Sequence, residues 1–88
     1  MDYVLARLTG VDCATVKALL KEHAPVHAGQ GMFLQHFWQN TDVAGEVQFL
    51  FRVDNLERAK AFIVRNHADA RKQNPEANLP QMTYLSET

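Results

Sequence analysis

His36 is the side chain in this sequence best suited to acid–base chemistry, because imidazole titrates near neutral pH. It lies in an alternating stretch in which Leu34, His36 and Trp38 share one parity. On a β-strand these three side chains would point to the same face, and a histidine between two apolar neighbours could act as a general base. A packed or interface histidine is the plainer interpretation, and it is favoured because no catalytic motif surrounds His36.

Two arginines could assist such a base. Arg7 and Arg52 each fall in the middle of a predicted strand. If they share a face with His36, their guanidinium groups could hold a carboxylate or stabilise an enolate or phenolate. An ion pair between subunits, or a strand-edge position that reaches water, explains both arginines equally well.

Trp38 could also stack on a planar ligand, with Leu34 and Leu50 completing an apolar lining. A tryptophan in such a pattern is more often a large core or interface side chain, and the sequence favours that interpretation. The candidate ligand-binding residues are therefore Trp38, Leu34 and Leu50, beside the candidate catalytic residues His36, Arg7 and Arg52.

A metal site is not expected. His23 and His27 have the spacing at which two imidazoles of one helix can share a metal ion, but Pro25 lies between them and Glu22 is the one carboxylate nearby. The single cysteine, Cys13, allows no intrachain disulfide and is predicted to be a core residue. The sequence contains no glycine-rich phosphate loop and no nucleophile elbow, so no cofactor is expected either.

These residues are positioned by a chain organised around the stretch 45–62. Its first half alternates strictly, with an apolar set and a mixed set of side chains, which predicts a strand. The apolar set is Val47, Phe49, Phe51 and Val53, and the mixed set is Glu46, Gln48, Leu50 and Arg52. Together with similar patterns elsewhere, it predicts strands near 3–8, 32–39, 46–53 and 81–85.

Two helices are predicted, near 12–24 and 55–67. Asp12 is a suitable N-cap for the first, and Pro25 is expected to end it, leaving 26–31 as a loop. Asp54 is expected to cap the second, with Glu57 three residues later in a capping-box arrangement. The segment 68–73 could add a helical turn or two.

The order β-α-β-β-α-β predicts a ferredoxin-like α+β fold over a single domain, 1–88, with a four-stranded antiparallel sheet and both helices on one face. The first three strands are apolar on both parities, so the face without helices would also be apolar. Such a face on a small protein marks an interface. We therefore expect a homodimer in which two sheets pack together as one dimeric α+β barrel.

Composition excludes several classes of function. The 88 residues are 47% hydrophobic and 22% charged, with a net charge of −1. Binding to nucleic acid or to an anionic membrane needs a basic surface, which scattered lysines and arginines do not provide. The sequence begins without the pattern of a signal peptide and has no apolar run of transmembrane length, so a cytoplasmic protein is expected.

Two stretches resemble a known superfamily. The first, VDCATVKALLKEHAPVHAGQGM, contains a predicted helix, the residues His-Ala-Pro where that helix ends, and a glycine before strand two. The second, GEVQFLFRVDNLERAKAFI, contains the third strand, an acidic turn and a helix with an Ala-Phe pair. Both resemble the dimeric α+β-barrel superfamily, best known for the antibiotic-biosynthesis-monooxygenase-like proteins. The likeness spans 3–85 and implies the fold and a dimer. Its members include oxygenases, isomerases and haem-degrading enzymes, so it implies no single activity.

Haem chemistry is not carried over from that superfamily. Its haem-degrading members use an asparagine on strand one, with a tryptophan and a histidine around the second helix. Here strand one has no asparagine, the only tryptophan is Trp38 on strand two, and Phe62 stands near where the tryptophan would fall.

Three functions remain open. The first is a homodimer that holds a small apolar or aromatic molecule between sheet and helices. The second is a cofactor-independent monooxygenase or isomerase acting on an aromatic or polyketide-like substrate. The third is a purely structural or regulatory dimer, which a filled barrel without a cavity would favour.

Overall fold

The computed structural model describes all 88 residues and confirms the ferredoxin-like arrangement. Its elements in chain order are β1 (Asp2–Leu8), α1 (Cys13–Glu22), α2 (Ala24–Gly29), β2 (Met32–Gln39), β3 (Val47–Val53), α3 (Leu56–Gln73) and β4 (Gln81–Ser86). The four strands form one sheet in the order β2-β3-β1-β4, and every neighbouring pair is antiparallel. None of the helices has the length and apolarity needed to cross a membrane.

The two long helices begin at capping side chains. Asp12 caps α1 as predicted: its carboxylate accepts hydrogen bonds from the backbone N–H of Thr15 at 3.1 Å and from its hydroxyl at 2.8 Å. The cap of α3 is Asn55, whose side-chain oxygen accepts from the backbone N–H of Arg58 at 3.0 Å. The prediction that Asp54 caps this helix is wrong, because its carboxylate pairs with Arg52 at 2.7 Å.

The connection after α1 is helical, not a loop. Pro25 lies in the first turn of the short helix α2, where a missing N–H breaks no hydrogen bond and the fixed φ suits helix initiation. The side chain of Arg58 on α3 donates to the carbonyl of Gly29 at 2.8 Å, which ties the end of α2 to α3. The segment 68–73 does add further helical turns, since α3 continues to Gln73.

The core lies between the sheet and the helices. The apolar set of β3 is buried there, with Val4 and Ala6 of β1 and Met32 of β2. The helices contribute Val16 of α1 and the pair Ala59 and Ile63 of α3 to this core. The helices thus cover one face of the sheet, which we call the helix face, and leave the other, which we call the open face.

A β-bulge in β2 changes which residues share a face. Leu34 pairs with Phe51 of β3, but His36 pairs with Leu50, so one extra residue is accommodated between them. Directly paired residues point to the same side of a sheet, so Leu34 belongs to the helix face and His36 to the open face. Trp38, opposite Gln48, stays with His36. The prediction that Leu34 shares a face with these two residues is wrong.

Candidate functional site

The space between sheet and helices is incompletely filled. A cavity of about 450 Å³ lies among α1, α2 and the edge strand β2. A second, of about 260 Å³, extends among α1, α3 and the sheet. The residues that line both are Leu20, His27, Met32 and Phe51. We call the two adjoining cavities together the helix-side cleft.

The lining of the helix-side cleft is largely apolar. Seven of the ten residues around the first cavity and ten of the fifteen around the second are hydrophobic. Phe51, at the centre of β3, faces both cavities and is 3% exposed. No aspartate or glutamate lines either cavity. A ligand of this cleft would therefore be held mainly by contact with apolar side chains.

Three of the four polar side chains that line the second cavity are histidines. His23 precedes α2, His27 lies on α2 and His67 lies on α3, where Asn66 adds an amide. The ring of His27 meets the ring of Phe51 edge-on, with centroids 5.1 Å apart, and its centroid is 6.4 Å from that of His23.

Two of these imidazoles are kept uncharged at neutral pH. Burial lowers the pKa of His27 below its ordinary value of 6.5, and the neighbouring His23 lowers it further. Burial also lowers the pKa of His67, and the charge of Arg71 adds to that effect. A neutral imidazole has one nitrogen that donates and one that accepts a hydrogen bond, so both side chains can bind a hydroxyl or receive a proton.

The histidines, cysteine and carboxylates nowhere form a group of three or more that could hold a metal ion. Although His23, His27 and His67 line one cavity, the cleft is better described as an apolar site with a few polar groups than as a metal centre.

Most of the side chains predicted as a site lie on the open face instead. The strand registers place His36 beside Leu50, Leu50 beside Leu5, and Trp38 beside Gln48. The rings of His36 and Trp38 stack with centroids 5.1 Å apart. Leu34 is the exception, since it lines the first cavity of the helix-side cleft. The structure therefore brings His36, Trp38 and Leu50 together and separates Leu34 from them.

The two arginines share the open face but do not converge. Arg52 lies beside Tyr3 and Arg7 lies beside Gln48, near opposite ends of β1 and roughly 13 Å apart along the strand. Arg52 stacks over the ring of Phe33 at 4.7 Å.

Arg7 has its own partners. Its guanidinium donates to the side-chain oxygen of Gln81 and lies 3.9 Å from the carboxylate of Glu46. It also borders a shallow depression of about 250 Å³ on the open face. Arg7 and Arg52 therefore do not form a single clamp within one chain.

The residues that sequence reasoning missed are His67 and Asn66. A signal for both was available, because His67 follows Ile63, and Asn66 follows Phe62, by the four-residue spacing of one helix face. The sequence alone indicates His27 only as a possible metal ligand, through its four-residue spacing from His23. Its place in the cleft depends on α2, which positions it over Phe51.

The sheet and its helical cover have a match among solved structures. A solved structure of a "putative antibiotic biosynthesis monooxygenase" from Deinococcus radiodurans matches 100% of this chain and 93% of that chain, with a TM-score of 0.63 and 18% sequence identity. At this identity the similarity establishes the fold and not an activity. No protein-family model matches the chain, and no curated protein matches it.

Proposed function

We propose that the protein is a homodimer that binds a small apolar or aromatic molecule in the helix-side cleft. The observation that carries this proposal is the cleft itself, a largely apolar space of about 450 Å³ adjoining one of about 260 Å³. Sites for small organic molecules are typically apolar cavities of a few hundred Å³ with a small number of polar groups. A purely structural dimer has no need of such a cleft.

The polar groups of the cleft supply orientation. His27 and His67 belong to different helices and both line the second cavity, while Asn66 adds an amide. A planar molecule could pack on Phe51 and direct a hydroxyl or carbonyl toward these groups.

The open face supports the dimer. Trp38 is 46% exposed and Leu85 is 40% exposed, and Leu5 and Leu50 lie between them in the centre of the sheet. Each Å² of apolar surface left in water costs about 25 cal/mol, so a face of this kind favours association. A twofold contact covers the same surface on both copies at once. Dimerisation is also what the superfamily resemblance implies.

Binding of a neutral fluorescent probe, N-phenyl-1-naphthylamine, tests the proposed site. Ala28 on α2 lines the first cavity and is exposed, so Ala28→Trp should fill that cavity without disturbing the core. We expect the affinity for the probe to fall about tenfold, the effect of roughly 1.4 kcal/mol of lost contact.

The matched control is Ala18→Trp, since Ala18 is also exposed on a helix but lines neither cavity. Equal affinities for the probe in folded Ala28→Trp and Ala18→Trp proteins would contradict binding in the helix-side cleft.

A second candidate function is a cofactor-independent monooxygenase or isomerase acting on an aromatic or polyketide-like substrate. It is favoured by the uncharged His27 and His67 in an apolar cleft, since a base of this kind can remove a proton from a phenol or an activated carbon. The carbanion so formed would be reprotonated at another carbon, or it would be oxidised by O₂ to a hydroperoxide that loses one water molecule to leave a carbonyl group. The similarity to the Deinococcus protein agrees with this candidate.

The base could lie on either face of the sheet. His36 on the open face, with Arg7 or Arg52 stabilising the anion, would act only in a space closed by the second protomer. His27 would act within the cleft of one protomer. Oxygen uptake with anthrone, an aromatic ketone with an acidic methylene group, distinguishes them.

If His36 is the base, His36→Ala should remove the uptake that exceeds autoxidation and leave the protein folded, whereas His27→Gln should retain it. The reverse result would assign the reaction to the helix-side cleft. No uptake above autoxidation in the unmodified protein would contradict oxygenation of this substrate class.

A further inference from the structure

The charged side chains around the helix-side cleft are all of one sign. Lys17 and Lys21 line the first cavity, and both extend from the same side of α1, because residues four apart are neighbours on a helix surface. The chain has ten aspartates and glutamates and a net charge of −1, yet none of its carboxylates lines either cavity. The entrance to this apolar space is therefore locally cationic in a protein that is slightly acidic overall.

Neither lysine is neutralised within the protein. The ion pairs of the structure are Arg7 with Glu46 and Arg52 with Asp54, and neither involves a lysine. Lys17 and Lys21 are exposed, which leaves their ammonium groups free to move over the opening of the first cavity. Their long aliphatic stems can lie against the apolar rim while the charged ends remain in water.

The opposite wall of the same cavity is apolar. Met32, Leu34 and Phe51 line it from the sheet. A ligand that matches both the apolar wall and the two lysines has an apolar or aromatic body and one negative charge. The body packs on the sheet, and the charge remains at the opening near the lysines.

We infer that the natural ligand of the helix-side cleft is an apolar or aromatic acid, bound as its anion with the acidic group at Lys17 and Lys21. This inference rests on the proposed function, since it names the class of molecule that the proposed site takes. It also assigns the choice of ligand to Lys17 and Lys21, the two charged residues that line the first cavity.

A series of three similarly shaped naphthalene compounds tests the inference by displacement of N-phenyl-1-naphthylamine: 1-naphthaleneacetate, its neutral amide, and the cationic 2-(1-naphthyl)ethylamine. We expect the acetate to bind about tenfold more tightly than the amide, which corresponds to two exposed charge pairs of ordinary strength, and the amine to bind most weakly. Added salt should reduce the difference between acetate and amide.

The double variant Lys17→Gln with Lys21→Gln should bring acetate and amide to nearly equal affinity, so that the ratio of the two dissociation constants falls from about ten to about one. The control is Lys60→Gln with Lys72→Gln, which removes the same charge from α3 at positions that line neither cavity. The preference for the acetate should survive in this control.

The outcomes separate the two proposals. Equal binding of acetate and amide to the unmodified protein, or a preference that survives the loss of Lys17 and Lys21, overturns the inference and leaves the proposed site intact. Failure of all three compounds to displace the probe overturns both.

Discussion

The two faces of the sheet come from the same strands and differ in how their side chains are arranged. On the helix face the side chains of β3 are buried, and Phe51 is 3% exposed. The groups that could react there, His27 and His67, come from the helices and are uncharged. On the open face the charged groups come from the strands themselves, and the guanidinium of Arg52 lies over the ring of Phe33.

This difference separates two roles. The helix face forms a core with an unfilled cleft, and a space of that kind suits a small ligand. The open face has apolar side chains at its centre and arginines near its ends, and an exposed surface of that composition suits contact with a second protein surface. Substitutions on the helix face should therefore alter stability and ligand binding, and substitutions on the open face should alter assembly.

Phe51→Ala should destabilise the folded chain more than any substitution on the open face. The ring fills the centre of the core, and its removal leaves a cavity next to an existing one, so we expect the free energy of unfolding to fall by about 3–5 kcal/mol. Urea denaturation measures it. Val64→Ala, on the outer side of α3 where Val64 is 55% exposed, should change stability by less than about 0.5 kcal/mol. Equal losses in the two variants would contradict the assignment of the core.

Leu50→Lys should break the proposed dimer. A lysine at the centre of the open face would face its own copy across a twofold contact, so we expect the dissociation constant to rise by about a hundredfold or more, equivalent to roughly 2.7 kcal/mol. Sedimentation at micromolar concentration should show a species of about 20 kDa for the unmodified chain of 10.0 kDa and a monomer for the variant.

The matched control for the dimer is Val64→Lys, which adds the same charge to the outer surface of α3. It should remain dimeric. A stable, folded monomer of the unmodified chain at micromolar concentration would overturn the proposed assembly.

Acidification should lower the free energy of unfolding through the two histidines that line the helix-side cleft, His27 and His67. The pKa of His27 and that of His67 are lower in the folded protein than their ordinary value of 6.5, so the unfolded chain binds more protons. Their contribution to stability is complete above pH 6.5 and is lost as the pH falls through 6.5 toward the folded-state pKa values. The loss should be smaller than that caused by Phe51→Ala.

Urea denaturation at about pH 7.5 and pH 5.5 measures this dependence. His27→Gln should reduce the difference in stability between the two pH values, because it removes one of the two imidazoles whose pKa is lowered by burial. An unchanged difference in the His27 variant would show that this imidazole does not resist protonation.

Arg52→Gln should have the smallest effect. Its partner Asp54 is mostly exposed, and exposed ion pairs contribute about 0–1 kcal/mol. We expect the free energy of unfolding to change by less than about 1 kcal/mol, measured again with urea. A larger loss would indicate that Arg52 on the open face has a structural role beyond this pair.

The parts of the fold that depend on local physics could be predicted from the sequence. The alternation of β3 is visible because one parity is strongly apolar, and the cap at Asp12 is visible because a carboxylate there meets free amides of the next turn. The cap of α3 shows the limit of this reasoning. Asp54 and Asn55 are adjacent and both can cap, and the choice between them is made by the pairing of Asp54 with Arg52, which sequence spacing does not reveal.

The candidate site could be predicted less well, because its placement depends on features that the alternation does not encode. The strand β2 is apolar on both parities, so an extra residue between Leu34 and His36 leaves the pattern unchanged while reassigning their faces. A proline at position 25 is compatible both with the end of one helix and with the start of the next, so the sequence alone does not distinguish the two. The histidines of the cleft come from two helices that only the tertiary fold brings together.

The bulge in β2 also affects whether the edge of the sheet can pair with a strand of another molecule. Because β2 is an outer strand of the sheet, its free edge carries unpaired N–H and C=O groups that could recruit a strand from another molecule, without any limit on the number added. The bulge interrupts the regular spacing of that edge and bends it, and the side chain of Gln35 donates to the carbonyl of Phe33 at 3.4 Å. An inserted residue that reorients two side chains thus also protects the strand against fibril-like growth.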